Sequence, residues 1–157
     1  AQFLRANSML VKAEFKTLSR TSLLAARSGF DECLRLNPNH GTALLHRGHT
    51  QALLARLSPK QEREDLFASA LRDLRLAAQR APEVLRVSHY LLARIEADRS
   101  GEEGLDPDET KVRLDAAIRE LTAAVDAGWV GFDRINAERA FDALRELPAF
   151  RKLLPAK

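Results

Sequence analysis

The chain has 157 residues, of which 45% are hydrophobic and 30% are charged, and its formal net charge is +3. This length suffices for one compact core, and the composition is that of a folded globular protein. Ala, Leu, Arg and Glu dominate, which favours helices, and no alternating run of Val, Ile, Thr and Tyr predicts a strand. No apolar run approaches the roughly 20 residues that a membrane-spanning helix needs, so we expect a cytoplasmic protein without membrane contact.

The charge is unevenly distributed along the chain. Residues 1–57 hold eight basic and three acidic side chains, whereas residues 58–131 hold eleven basic and fifteen acidic ones. The basic N-terminal third favours an acidic partner, although a solvated helix face accounts for the same bias. Nineteen arginines against six lysines also suit phosphate binding. Because these arginines are interleaved with acids and aromatics for base stacking are few, nucleic-acid binding is an alternative that we do not favour.

Few residues carry the chemistry of a catalytic or metal site. Cys33 is the single cysteine, which excludes an intramolecular disulfide and a cysteine metal cluster. His46 and His49 are three positions apart on one predicted helix and can share a face, but zinc needs a third or fourth ligand. The sequence contains no glycine-rich phosphate loop after a strand, and no serine has an identifiable base nearby. We therefore expect no enzyme activity, no metal and no cofactor.

The spacing of apolar residues predicts helices along the whole chain. In order, they cover residues 2–18, 21–36, 41–57, 58–80, 84–98 and 106–127, followed by two short helices near 137–146 and from Pro148 onward. In the second helix we expect Leu24 to point inward together with the other apolar side chains. A polar segment over 100–106 separates the fifth helix from the sixth.

Capping residues mark several of these helix ends. Ser58 and Asp106 are predicted N-caps, and each is followed by a proline at the first helical position. Gly128 is a predicted left-handed terminator of the sixth helix. Asn136 is a predicted N-cap for the short helix near 137–146. These assignments place the turns of the chain.

One pattern occurs three times: a small residue, a bulky apolar residue four positions later, and another small residue three positions after that. The small side chains let a neighbouring helix approach, and the bulky one fills the space one turn further along the same face. The first two copies are followed at equal distance by Pro38 and Pro82. The three triplets are Ala26, Phe30 and Cys33; Ala70, Leu74 and Ala77; and Ala117, Leu121 and Ala124.

On these residues the chain resembles the tetratricopeptide repeat (TPR) family, whose unit is a helical hairpin of about 34 residues. The second repeat offers the best single match at Gly48, where the family has a glycine, whereas Arg47 stands in place of the usual leucine. The resemblance implies an all-α right-handed superhelix forming one domain over 1–157. Its parts would be repeats at about 7–40, 41–84 and 86–131, with a capping segment over 132–157.

The second and third repeats are longer than the family unit. The surplus of the second falls around 57–66, where we expect it to extend the two helices beyond the stack. The surplus of the third falls in the polar segment over 100–106. The segment after Trp129 looks like the end of some bacterial repeat arrays, so we expect the chain to be part of a larger bacterial protein.

The resemblance implies a concave groove lined by the first helix of each hairpin, which would bind a protein or peptide partner, acidic in character. Leu45 and Phe15 could instead pack between helices. The function expected is that of an adaptor or regulatory module, with a nucleic-acid-binding, dimerisation or spacer domain as the alternative; the oligomeric state stays open. The residues mapped to the groove are Lys12, Phe15, Thr42, Leu45, His46, His49, Tyr90 and Arg94.

Overall fold

A computed structural model describes Phe3 and residues 19–155. Within this part of the chain the fold is all-helical and contains no strand, which confirms the predicted class. The predicted first helix over 2–18 lies outside the described residues except for Phe3. The chain divides into two compact units, Ala1–Val84 and Leu85–Lys157. The TPR superhelix and its single domain stay predictions.

The described part of the first unit is built around a central helix. Helices α1 (Arg20–Leu36), α2 (Gly41–Arg56) and α3 (Lys60–Arg80) are followed by a short 3₁₀ turn, Pro82–Val84. Helix α2 packs against α1 on one side and, more extensively, against α3 on the other. Most of α2 is consequently buried, whereas α1 and α3 each keep one polar face toward solvent.

The predicted triplets form the packing surfaces of the first unit. All six of their residues are buried, and Leu23 and Leu34 of α1 join them in the core. Leu24, however, is 36% exposed, so the prediction that it points inward is wrong. It directly follows the buried Leu23, and adjacent helix positions are about 100° apart around the axis. The buried triplets are Ala26, Phe30 and Cys33 on α1, and Ala70, Leu74 and Ala77 on α3.

Gly48 lies at a close approach of α2 to α3. A Cβ atom at this position would lie 2.9 Å from Leu74 Cγ and 3.0 Å from the carbonyl oxygen of Ala70. Contacts this short leave no room for a side chain, so the glycine sets the distance between the two helices. The structure thereby supplies the physical reason for the glycine that the sequence singles out in the second hairpin.

Arg47, on α2, joins α1 and α3 through its guanidinium group. Its Nε and Nη2 atoms donate to the two carboxylate oxygens of Asp73 on α3 at 2.6 and 2.8 Å, and Nη1 donates to Asp31 on α1 at 2.9 Å. The Asp73 side chain is only 5% exposed. The bidentate bond to Asp73 raises the pKa of Arg47, against the opposing effect of burial, so the guanidinium keeps its charge.

The second unit pairs two long helices and adds a segmented tail. Helices α4 (Leu85–Arg99) and α5 (Pro107–Asp126) pack along each other, and their connection is the predicted polar segment. The tail contains α6 (Phe132–Ala137), a 3₁₀ helix (Arg139–Leu144) and α7 (Pro148–Leu153). The 3₁₀ helix packs mainly on α4, and α7 packs on α5. Within α5 the third triplet is fully buried: Ala117, Leu121 and Ala124.

Both ends of α5 follow the prediction. At the start, Asp106 Oδ1 accepts a hydrogen bond from the backbone N–H of Glu109 at 2.8 Å. At the end, Gly128 has φ +88°, the left-handed conformation in which glycine is favoured. The N–H groups of Gly128 and Trp129 donate to the carbonyls of Val125 and Ala124, which is a Schellman motif. The Schellman motif therefore ends α5, and the chain changes direction at Gly128, immediately before Trp129.

Two other predicted caps are wrong. Ser58 is buried and its hydroxyl has no hydrogen-bond partner in the described part of the chain; the carbonyl of Pro59 instead accepts the first bonds of α3. Asn136 lies inside α6, because that helix already begins at Phe132. Glu138 is the residue whose side chain caps the next segment, by accepting from the N–H of Ala140 at 3.2 Å.

We predict that Gly48→Leu destabilises the first unit by about 1–3 kcal/mol, since the added side chain must push α3 away from α2. The control is Ala68→Leu, which adds a larger side chain to an exposed position of α3 and should stay within about 0.5 kcal/mol of the parent. Chemical denaturation followed by circular dichroism measures both. Equal stabilities for the two variants would contradict the close approach described for Gly48.

The Arg47–Asp73 pair is predicted to be strongly coupled. Arg47→Leu leaves the buried Asp73 carboxylate without its cation, so a loss of about 3–5 kcal/mol is expected. Asp73→Ala should cost less, because Asp31 still faces Arg47. In the double variant the two losses should fall short of additivity by about 1–3 kcal/mol in a double-mutant cycle. Strict additivity would show that the two side chains act independently.

Candidate functional site

The residues predicted for the groove divide between the two units. Lys12 and Phe15 lie outside the described residues. Four of the others lie on α2 in the first unit and two lie on α4 in the second: Thr42, Leu45, His46 and His49, and Tyr90 and Arg94. On α2, Leu45 is buried and belongs to the core, while the other three are half-buried. The alternative of packing between helices therefore describes Leu45. Partner binding by Thr42, His46 and His49 stays a prediction.

His46 belongs to an aromatic cluster rather than to an open surface. Its ring is stacked on Phe30 of α1 with 5.8 Å between centroids, and Phe3 contacts both His46, at 5.6 Å, and His40, at 5.2 Å. Burial lowers the pKa of His46 below its ordinary value of 6.5, so its ring is neutral at neutral pH. His40 in turn accepts a hydrogen bond at Nδ1 from the N–H of Ala43 and caps α2.

Tyr90 on α4 is a core residue of the second unit. It is 1% exposed, and its ring lies flat on Trp129 with 4.4 Å between centroids and an interplanar angle of 2°. Phe141 contacts the same ring edge-on at 5.8 Å, and the Arg134 guanidinium lies over it at 5.5 Å. Burial, together with the charge of Glu138, raises the pKa of Tyr90. Tyr90 therefore holds the tail and presents no surface to a partner.

Arg94 has a similar tethering role one turn further along α4. Its Nε lies 3.2 Å from Oε2 of Glu138, and both side chains are about one-fifth exposed. The hydroxyl of Tyr90 lies 3.5 Å from the same oxygen, at the limit of a hydrogen bond. Since Glu138 also caps the 3₁₀ helix, a single carboxylate ties the tail to α4. A tyrosine and an arginine one turn apart resemble binding residues in sequence, and nothing in their spacing reveals the tail that covers them.

No metal site is assembled by the described part of the chain, where no group of three or more His, Cys, Asp or Glu side chains lies close enough to hold an ion. His89, on α4, instead pairs through Nδ1 with Glu120 of α5 at 2.7 Å. Among the same residues no helix combines the length and the apolar character needed to cross a bilayer.

A cleft in the first unit is the feature that the sequence did not predict. It has a volume of about 250 Å³ and opens to solvent between α1 and α3. Leu54 of α2, 1% exposed, contributes to its apolar lining, to which Leu24 and Leu66 also belong. Four charged side chains complete the walls: Arg20 and Arg27 from α1, and Glu62 and Asp65 from α3. We refer to these seven residues as the α1–α3 cleft.

The two walls of the cleft are linked by one ion pair. Arg20 Nη2 lies 2.7 Å from Glu62 Oε2, between side chains that are about half exposed. In the described residues, neither Arg27 nor Asp65 forms an ion pair or a side-chain hydrogen bond. The α1–α3 cleft thus combines an apolar lining with one basic group on α1 and one acidic group on α3 that can meet a partner.

Part of this cleft comes from residues that the predicted repeat pattern counts as surplus in its second copy. Glu62, Asp65 and Leu66 all lie in the first two turns of α3, within the segment around 57–66 that exceeds the family unit. Leu24 lines the cleft from α1, although the apolar pattern predicts a core position for it. The extra length of the segment around 57–66 is the sequence feature that accompanies the cleft, but spacing alone does not show that a longer α3 leaves an opening opposite α1.

No protein-family model, curated protein or solved structure matches the chain. The TPR resemblance therefore depends on this chain's own residues. Among them, Gly48 packs closely against α3, and the residues of the three triplets are buried. These packing roles are local to each helix pair.

We predict that protonation of His46 makes the first unit less stable in acid. Its pKa is lowered in the folded state, so below about pH 6.5 the unfolded chain binds a proton that the native state does not, and stability falls as the pH falls. His46→Phe keeps an aromatic ring but cannot titrate. Between pH of about 7.5 and about 5.5, the free energy of unfolding should fall less in the variant than in the parent.

His40→Asn serves as the comparison, because asparagine can still cap α2 while removing a second imidazole ring. Urea denaturation at each pH gives the slopes of all three proteins. If His46→Phe retains the full dependence of the parent, the His46 ring is not desolvated in the native state.

Proposed function

We propose that the chain is a TPR-like protein-interaction module, an adaptor or regulatory domain of a larger bacterial cytoplasmic protein, and that it docks a peptide segment in the α1–α3 cleft. The observation that carries this proposal is an open cleft lined by three leucines, in which Arg27 and Asp65 have no ionic partner among the described residues. Apolar anchors surrounded by polar groups are typical of docking surfaces, in which a few buried contacts supply most of the affinity.

The size of the cleft also favours a peptide side chain over a small molecule. Its 250 Å³ is below the range of about 300–1,000 Å³ that is usual for cofactor and drug-sized ligands. A cleft of this volume suits one bulky apolar side chain, while the rest of the partner lies over α1 and α3. Such an opening suits a short linear peptide segment that lies across the surface better than a substrate that must be enclosed.

The docking surface proposed here differs from the concave groove that the family resemblance implies. On α4 the predicted groove residues Tyr90 and Arg94 are engaged with the tail. On α2, His46 is enclosed by aromatic rings. Leu24, in contrast, is exposed and lines the cleft together with Leu54 and Leu66, which makes the cleft the better candidate.

We predict that Leu24→Gln weakens peptide binding at least about tenfold, because an apolar contact that stabilises the complex is lost. The probes are peptides selected on the whole chain from a random display library, then synthesised and measured by fluorescence anisotropy. Leu36→Gln is the matched control: it makes the same substitution on α1 at a residue that is 65% exposed and outside the cleft.

Both variants alter surface positions, so their melting temperatures should stay close to that of the parent. Binding by the Leu36→Gln protein should remain within about twofold of the parent value. Peptides that bind the two variants equally well, or a library that yields none, would refute docking at this cleft.

A further inference from the structure

We infer that the occupant of the α1–α3 cleft is a peptide that presents one apolar side chain between an acidic and a basic residue. Its acid would face Arg27 on α1 and its base would face Asp65 on α3. This inference rests on the function proposed above and specifies the chemistry of the partner. It concerns the charges of the cleft, whereas the proposed function concerns its apolar lining.

Two charged side chains of the cleft are available to a partner. Arg20 and Glu62 already neutralise each other at 2.7 Å across the two walls. Arg27 and Asp65 line the same opening, and within the described part of the chain neither has an ionic partner. Because both side chains line the opening and neither is neutralised by another described residue, each can meet an opposite charge on a bound segment.

The mixed charges of the cleft discriminate between partners of different charge. A partner with two acids would meet Arg27 favourably but would bring a like charge to Asp65, and a partner with two bases would reverse the conflict. Juxtaposed like charges oppose association, so the mixed arrangement selects a partner that carries both signs. Arg27 is half-buried and can hold a carboxylate with two parallel N–H donors.

The leucines of the cleft form the anchoring site for an apolar side chain. Leu54 is nearly inaccessible, whereas Leu24 is partly open to solvent, so the apolar surface continues from the interior of the cleft to its rim. A leucine-sized side chain that enters it removes apolar area from water on both surfaces. The flanking charges then fix which residue types stand beside that side chain.

Four synthetic peptides that share one leucine-centred core test the inference. Their flanking residues are acid and base, two acids, two bases, or two neutral amides, and affinities are measured on the whole chain. We expect the mixed peptide to bind at least about tenfold more tightly than either single-sign peptide. Arg27→Glu should shift the preference to the peptide with two bases, and Asp65→Lys to the peptide with two acids.

Matched controls separate a local effect from a change in net charge. Arg72→Glu and Glu83→Lys change the net charge as the two cleft variants do, at exposed positions that do not line the cleft. Both should keep the preference for the mixed peptide. A switch of preference in these controls would show that overall charge, not Arg27 and Asp65, sets the selectivity, and would overturn the inference.

The remaining outcomes are distinguishable. Leucine-cored peptides that lose affinity with Leu24→Gln but ignore their flanking charges would refute this inference and leave the proposed function standing. Peptides insensitive to Leu24→Gln would refute both. Sedimentation that shows a dimer abolished by Leu24→Gln would assign the cleft to a second copy of the chain, which also overturns the peptide assignment.

Discussion

Close approach between neighbouring helices is the constraint on which both units depend. In the first, the absence of a side chain at Gly48 lets α2 lie against Leu74 and the Ala70 carbonyl of α3. In the second, Ala117 and Ala124 are fully buried on the face of α5 where the bulky Leu121 fills the space between them. Small residues set the distance and bulky ones fill it, so specificity comes from the alternation of sizes along a helix face.

A polar contact is superimposed on this packing in the first unit. Arg47 occupies a position where the TPR pattern has leucine, yet the buried Asp73 makes the charged residue necessary. The guanidinium reaches α1 and α3 at once, which a leucine cannot do. Such a contact specifies the positions of three helices with directional bonds, whereas apolar contacts tolerate small shifts.

Helix positions and core triplets could be predicted from sequence because they depend on periodicity and on local caps such as Asp106. Ser58 and Asn136 are exceptions, because the N-cap of α3 is Pro59 and α6 already begins at Phe132. The surface around Tyr90 could not be predicted, because its burial depends on a tail far along the chain. Nor could the α1–α3 cleft, since an opening between two helices is set by how both pack on a third.

The stacking of Trp129 on Tyr90 has a practical consequence. The chain has one tryptophan and one tyrosine, and both lie in the second unit, in direct ring contact. Near-ultraviolet absorption by these two rings and the emission of the indole therefore report on the second unit alone. Backbone ellipticity reports on helices of both, so the two optical signals together can resolve whether the units melt in one step or in succession.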